Sequence, residues 1–277
     1  MNRRRAVLAI VRKDVRAIFA NLQVWLPMLI VPVVLGILVP GGITWGILRF
    51  GEGNSEMQDI MRLLDQLPAG NLLDSIARFD GIRQQAVFFM ANYLLAPFFL
   101  LIPVMAASTI SADSFAGEKE RGTLESLLFS PISVDVLFIG KVLASFLPAI
   151  GLAWGTFLLT VITVNAIAWP WMGQVFFPTL NWLPLMLLVI PLLSLATIFL
   201  TVFVSARVRT FQAAYQLGGI VSLPVIGLVV GQLTGVLFLS MTVIILIAAA
   251  LLVLNVILLF MLRGFLDRPA LFESQVQ

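Results

Sequence analysis

The sequence predicts an all-α integral membrane fold, with six transmembrane helices preceded by an amphipathic interfacial helix. Three observations predict it. The 277 residues are 60% hydrophobic and only 11% charged, with a mean hydropathy of +1.06, whereas soluble domains carry about 25% charged residues. The apolar residues gather into six runs, each near or above the roughly 20 residues that a bilayer requires. Those runs lack the period-2 alternation of barrel strands. Lipid leaves no backbone group free to bond water, so helices are what remains.

The chain starts Met1-Asn2-Arg3-Arg4-Arg5, which resembles the start of a signal peptide. The next residues are amphipathic, the first apolar run is too long and no small-residue cleavage site follows it, so no cleaved signal is read. Val7, Val11, Val15, Ile18 and Leu22 recur at intervals of three and four, while Arg5, Arg12, Lys13 and Arg16 lie off that stripe. Residues 1–21 are therefore expected to form a helix lying on the inner leaflet, either as an anchor or as a transmitter of motion.

The apolar runs cover roughly 22–46, 86–112, 134–167, 182–205, 213–233 and 237–262. The third exceeds what a perpendicular span needs and must tilt, break near Pro148 or extend into solvent. Only a weak turn at Gln232, Thr234 and Gly235 separates the last two. Between the first two runs, residues 47–85 form an external segment. It contains one helix on which Ile60, Leu63, Leu64 and Leu67 share a face, ended by Pro68 and Gly70, and a second near 71–79.

Cations set the orientation. Arg3, Arg4, Arg5, Arg12, Lys13 and Arg16 precede the first span, Lys119, Arg121 and Lys141 flank the second loop, Arg207 and Arg209 follow the fourth span, and Arg263 and Arg268 follow the sixth. The 168–181 and 234–236 loops carry no charge, so both termini are expected in the cytosol. Trp45, Trp169, Trp171 and Trp182 then fall at the outer interface.

The missing chemistry is informative. The chain has no His and no Cys, and no span has an acid or base near its centre; the polar groups inside are Asn92, Ser194, Thr197, Thr201, Gln216 and Asn255. Ion-coupled transport needs an intramembrane ionisable group, and membrane hydrolases need a nucleophile with its base or a metal. Neither is expected here. Lys141, a few residues into its span, is expected to snorkel back to the interface. Gly140-Lys141 lacks the rest of a phosphate-cradling loop, so the chain is not expected to bind ATP in that way.

Residues 113–133 form a cytosolic loop with internal logic. Helix can run through Glu118, Lys119, Glu120 and Arg121, Gly122 permits a sharp turn, Thr123 can cap a new short helix with Glu125 in its first turn, and Pro131 ends it. Leu124, Leu127 and Leu128 share a ridge on that helix. A helix so short must dock on something, either its own membrane face or a groove on a cytosolic partner.

The stretch Phe115-Ala116-Gly117-Glu118-Lys119-Glu120-Arg121-Gly122-Thr123-Leu124-Glu125, continuing to Ser130-Pro131, resembles the signature loop of type-2 ATP-binding-cassette exporter permeases. The resemblance is motif-specific over about 20 residues, and the six-span architecture extends it to the whole chain. It implies a single permease domain over 1–277 that works with a second permease copy and two cytosolic ATPase subunits, with ATP and Mg held by those subunits and no cofactor in this chain. It implies that Glu118, Lys119, Glu120 and Arg121 make polar contacts to the ATPase, with Gly122 and Thr123 as turn and cap. Leu124, Leu127 and Leu128 are the buried knob of a coupling helix beside Glu125 and Pro131. Arg207 and Arg209, in the second inner loop, are a possible second contact. The large external segment between the first two spans and the short last connection depart from better-known members, so no substrate is inferred from them.

The expected function is a transport subunit without its own ATPase site, exporting a substrate across a membrane identified as the prokaryotic plasma (inner) membrane. Nucleic acid is not expected as a partner, since the cations cluster at span edges. A non-transporting membrane anchor, and an ATP-independent channel or secondary transporter, are the alternatives.

Overall fold

The computed structural model describes residues 3–51, 62, 75–123, 133–208 and 210–265. Among them there is no strand, and six helices are long and apolar enough to cross a membrane. These are span 1 (Met28–Phe50), span 2 (Ile82–Glu120), span 3 (Val134–Met172), span 4 (Trp182–Ser205), span 5 (Phe211–Leu233) and span 6 (Met241–Leu262). Each coincides with one predicted run. Helix α1 (Arg3–Ala20) precedes them.

Span 2 is the hub: it is buried along nearly its whole length, whereas spans 1, 5 and 6 expose most of theirs. One apolar cluster fills the end of the bundle near the 173–181 connection, around Phe89, Phe99, Phe177 and Trp182. A second fills the other end, around Ile110, Phe138, Phe199 and Leu258. Hydroxyls within the spans turn back on their own helices, as where Ser194, Thr197, Thr201 and Ser205 each donate to the carbonyl one turn earlier. This satisfies polar groups that lipid could not solvate.

Span 3 passes Pro148 as continuous helix for 39 residues, about 58 Å at 1.5 Å per residue. Of the three outcomes open to it, a break is excluded, and the unbroken helix is nearly twice as long as the hydrocarbon is thick, about 30 Å. Span 2 instead widens into a π-helical turn at Met90–Leu94, where the Leu95 N–H reaches back to the Met90 carbonyl just ahead of Pro97. A wider turn accommodates backbone groups that proline leaves without a donor. A second such turn, at Asp113–Gly117, contains no proline and lies beside the charged cluster described below.

Trp182 departs from its expected place, and the packed row of α1 lies beside the predicted stripe. The row of α1 that packs into the protein is Ala6, Ile10, Asp14 and Ile18, with Val7, Val11 and Val15 only half-buried on its flank. Close approach fixes the packed row: Gly140 of span 3 lets Ile10 in so tightly that a Cβ there would fall 2.8 Å from Ile10 Cγ2. Trp45, Trp169 and Trp171 are exposed, but Trp182 is 2% exposed and boxed by Phe99, Phe157 and Phe177. It is a core residue, because the 173–181 connection folds inward over it. Ser75 and Ile76 of the predicted 71–79 helix are helical and the chain turns at 77–78; the helix expected around Ile60 to Leu67 lies outside the described residues.

That inward fold rests on two amides. Asn92 of span 2 donates to the Phe176 carbonyl at 3.3 Å and accepts from the Thr179 N–H at 2.8 Å. Asn165 of span 3 donates to the Phe177 carbonyl at 2.6 Å and accepts from the Phe176 N–H at 3.0 Å. Gly173, at φ 63°, ends span 3 in the left-handed region that lets the chain double back.

Candidate functional site

The charged residues at the root of the loop between spans 2 and 3 lie at the end of the bundle opposite the 173–181 connection. Glu118, in the last turn of span 2, is the centre. Its Oε2 accepts from Lys141 Nζ at 2.6 Å, and its Oε1 accepts from Lys13 Nζ at 2.8 Å. Lys141 also donates to the Ser114 carbonyl at 2.6 Å and stands 3.5 Å from Asp14 Oδ2. The Ser114 hydroxyl donates to that same Asp14 oxygen at 3.3 Å. Two ammonium groups thus face two carboxylates drawn from α1, span 2 and span 3.

Burial makes this cluster consequential. The side chains of Lys141, Asp14 and Glu118 are 1%, 4% and 8% exposed, and only Lys13 reaches water, at 53%. A buried charge is tolerated only when paired and hydrogen-bonded, and here each carboxylate faces both ammonium groups. Burial opposes the charge of Lys13, but the hydrogen bond and negative charge of Glu118 outweigh it and raise the Lys13 pKa above the ordinary lysine value. Lys141 does not snorkel, contrary to the expectation from its position. Its ammonium is held inside, where acids from two other helices converge on it.

The rest of the loop root is bonded as densely. Arg121 donates to Asp113 Oδ1 at 3.0 Å across the π-helical turn. Lys119 donates to the Val208 carbonyl at 3.2 Å, and Glu120 accepts from the Phe211 N–H at 2.8 Å, so both reach the connection between spans 4 and 5. Gly122 has φ 68° and makes the sharp turn that was expected of it. Thr123 donates its hydroxyl to the Glu118 carbonyl at 3.2 Å. Arg207 lies with its guanidinium 4.0 Å over the Phe203 ring. Leu124, Glu125, Leu127, Leu128, Pro131 and Arg209 lie outside the described residues.

A family model for the ABC-2 family transporter protein matches residues 8–266. The chain belongs to that family. No curated protein and no solved structure matches it. Membership makes this ABC-2 protein a membrane component of a transporter, in accord with the resemblance carried by its 115–131 motif. The ABC-2 match covers all six spans and the loop between spans 2 and 3.

Of the motif residues, the structure joins Glu118, Lys119, Glu120 and Arg121 to one another's surroundings through bonds within the chain. It adds Asp14, Ser114, Asp113 and Lys141, which sequence reasoning did not single out as site residues. One signal for Asp14 was present: it falls in the Ala6, Ile10, Ile18 row of α1, and an acid buried in an apolar row calls for a partner to pair or hydrogen-bond it. Nothing in the local sequence says which partner. Lys141 inside an apolar run carried the complementary signal.

Proposed function

We propose that this chain is the permease subunit of an exporter driven by a separate cytosolic ATPase, paired with a second permease copy, and that residues 124–130 are its coupling helix. The observation that carries the reading is the bonding at the root of the 118–133 loop. Glu118 ties the loop to α1 and span 3, while Lys119 and Glu120 tie it to the second inner loop, at the head of span 5. A push on 124–130 is therefore delivered to spans 2, 3 and 5 and to α1 together, as a transmission between an ATPase and a pathway requires.

In this reading Leu124, Leu127 and Leu128 fill a groove on the ATPase, flanked by Glu125 and Pro131, and the second inner loop with Arg207 and Arg209 lies beside it. ATP and Mg belong to the partner. Both termini lie in the cytosol, since the cation-rich end of the bundle carries α1 and both inner loops, and the membrane is the prokaryotic inner membrane. Closure of the ATPase pair switches the permease pair between inward-open and outward-open forms, which gives export. Away from the charged cluster at the 118–133 end, the buried polar groups of the spans are neutral amides and hydroxyls, which suits amphipathic or apolar cargo.

Co-purification of the chain with its ATPase subunit, together with ATP hydrolysis, tests the proposal. Leu127→Asp and Leu128→Asp are expected to release or uncouple the ATPase while the permease keeps its melting temperature. Retention of a fully coupled ATPase by both variants refutes the coupling assignment.

A further inference from the structure

The buried row of α1 leaves its opposite side to be explained. At 100° per residue, Arg5, Arg12 and Arg16 fall within about 40° of one another, and their centre lies about 160° round the helix from the centre of the buried Ala6, Ile10, Asp14 and Ile18 row. All three are exposed, and among the described residues none of them makes an ion pair. Along the axis they are spaced by about 10 Å and 6 Å. One flank of this row is apolar round to the buried face except for Arg4 in the first turn: Phe19 and Leu8, 58% and 66% exposed, then Val15, Val11 and Val7.

The level of α1 in the bundle is set independently. Ile10 packs on Gly140 in the first turns of span 3, and Lys13 pairs with Glu118 in the last turn of span 2. Where spans 2 and 3 leave the lipid at this end, a helix lying across them stands at headgroup depth. There its apolar flank enters the acyl region and the adjoining arginine row meets the phosphates.

We propose that the Arg5, Arg12 and Arg16 row binds the headgroups of anionic phospholipid in the leaflet beside α1. A soluble acidic partner would satisfy the arginines but would have to cover Leu8 and Phe19 as well, whereas a bilayer surface does both at once. Guanidinium also suits the geometry, since its fork of donors matches a phosphate in two bonds. The inference needs only that spans 2 and 3 cross a bilayer, and it stands apart from coupling to an ATPase.

The test is native mass spectrometry of the full-length chain in mild detergent, titrated with phosphatidylglycerol or phosphatidylcholine. Wild type is expected to prefer phosphatidylglycerol. The triple variant Arg5→Gln, Arg12→Gln, Arg16→Gln should lose phosphatidylglycerol affinity by at least about ten-fold, since each arginine near an anionic surface contributes about five-fold, with phosphatidylcholine unaffected. The triple arginine-to-lysine variant should retain most of the preference, and 0.5 M salt should shrink it. Arg12→Gln alone, an exposed change that leaves the packing of α1 untouched, gives the same reading with a smaller loss. Arg49→Gln with Arg78→Gln, at the other end of the bundle, should change nothing. Equal affinity for the two lipids, or equal phosphatidylglycerol affinity in wild type and the glutamine variants, overturns the proposal. Loss of the ATPase with lipid affinity intact also overturns it, and assigns the row to an acidic protein surface.

Discussion

Replacing Lys141 by Met removes a cation while keeping most of its volume. In the wild type its ammonium bonds Glu118 and the Ser114 carbonyl, each at 2.6 Å, and stands 3.5 Å from Asp14. Without it, the Glu118 carboxylate and the Ser114 carbonyl lose their closest positive partner, and Asp14 loses one of two cations at 3.5 Å. Breaking a buried pair by removing one member costs about 3–5 kcal/mol. Lys13 still reaches both acids, at 2.8 Å and 3.5 Å, but from a half-exposed position where water screens it. That partial compensation sets the expected cost at the low end, about 3 kcal/mol, or a fall of about 6–12 °C in melting temperature for a chain of this size. Thermal unfolding of the detergent-solubilised protein, followed by tryptophan fluorescence, reads it. The double variant Lys141→Met with Glu118→Gln removes one buried negative charge along with the positive one, so it should be more stable than Lys141→Met by at least about 1 kcal/mol. If Lys141→Met melts within 2 °C of wild type, or if the two substitutions simply add, the cluster is not the buried junction described here.

Gly140→Val would drive a side chain into Ile10 Cβ and Cγ2, both within 3 Å of where its Cβ must stand. A cost of about 1–3 kcal/mol is expected, accompanied by faster proteolysis after α1, and Ile10→Ala should restore part of both. Asn165→Leu leaves the Phe177 carbonyl and the Phe176 N–H without their partner, at about 1–3 kcal/mol for each buried group. Because the chain has no native cysteine, a single cysteine at the buried Met172 position reports the loosening: maleimide labelling should be slow in the parent and fast with Asn165→Leu. A raised pKa means that the Lys13 contribution is fully present through neutral pH and is lost only as pH climbs through that raised value. Melting temperature between pH 7 and 11.5 should therefore break at the alkaline end in wild type and lose that break in Lys13→Gln.

The spans were legible in the sequence because spanning is a local property: a run of apolar residues long enough for the hydrocarbon must be helix whatever it later touches. The same holds for the turn at Gly122, where the positive φ needs a residue without a Cβ. The faces were less legible. The Val7, Val11 and Val15 stripe of α1 is genuinely apolar, yet lipid covers an apolar flank as readily as protein does, so hydropathy could not say which side packs inward. Gly140 decided that, by admitting Ile10. Trp182 looked interfacial by its place at a span end, and became core because Asn92 and Asn165 draw the neighbouring backbone over it. Lys141, Glu118 and Lys13 come from positions separated by 23 and 105 residues, and no periodicity records which acid meets which base. Composition and pattern thus account for how the chain crosses a membrane. Pairing inside a low-dielectric interior depends on distances between different helices, which exist only once those helices are packed, and the junction beneath the 118–133 loop is of that kind.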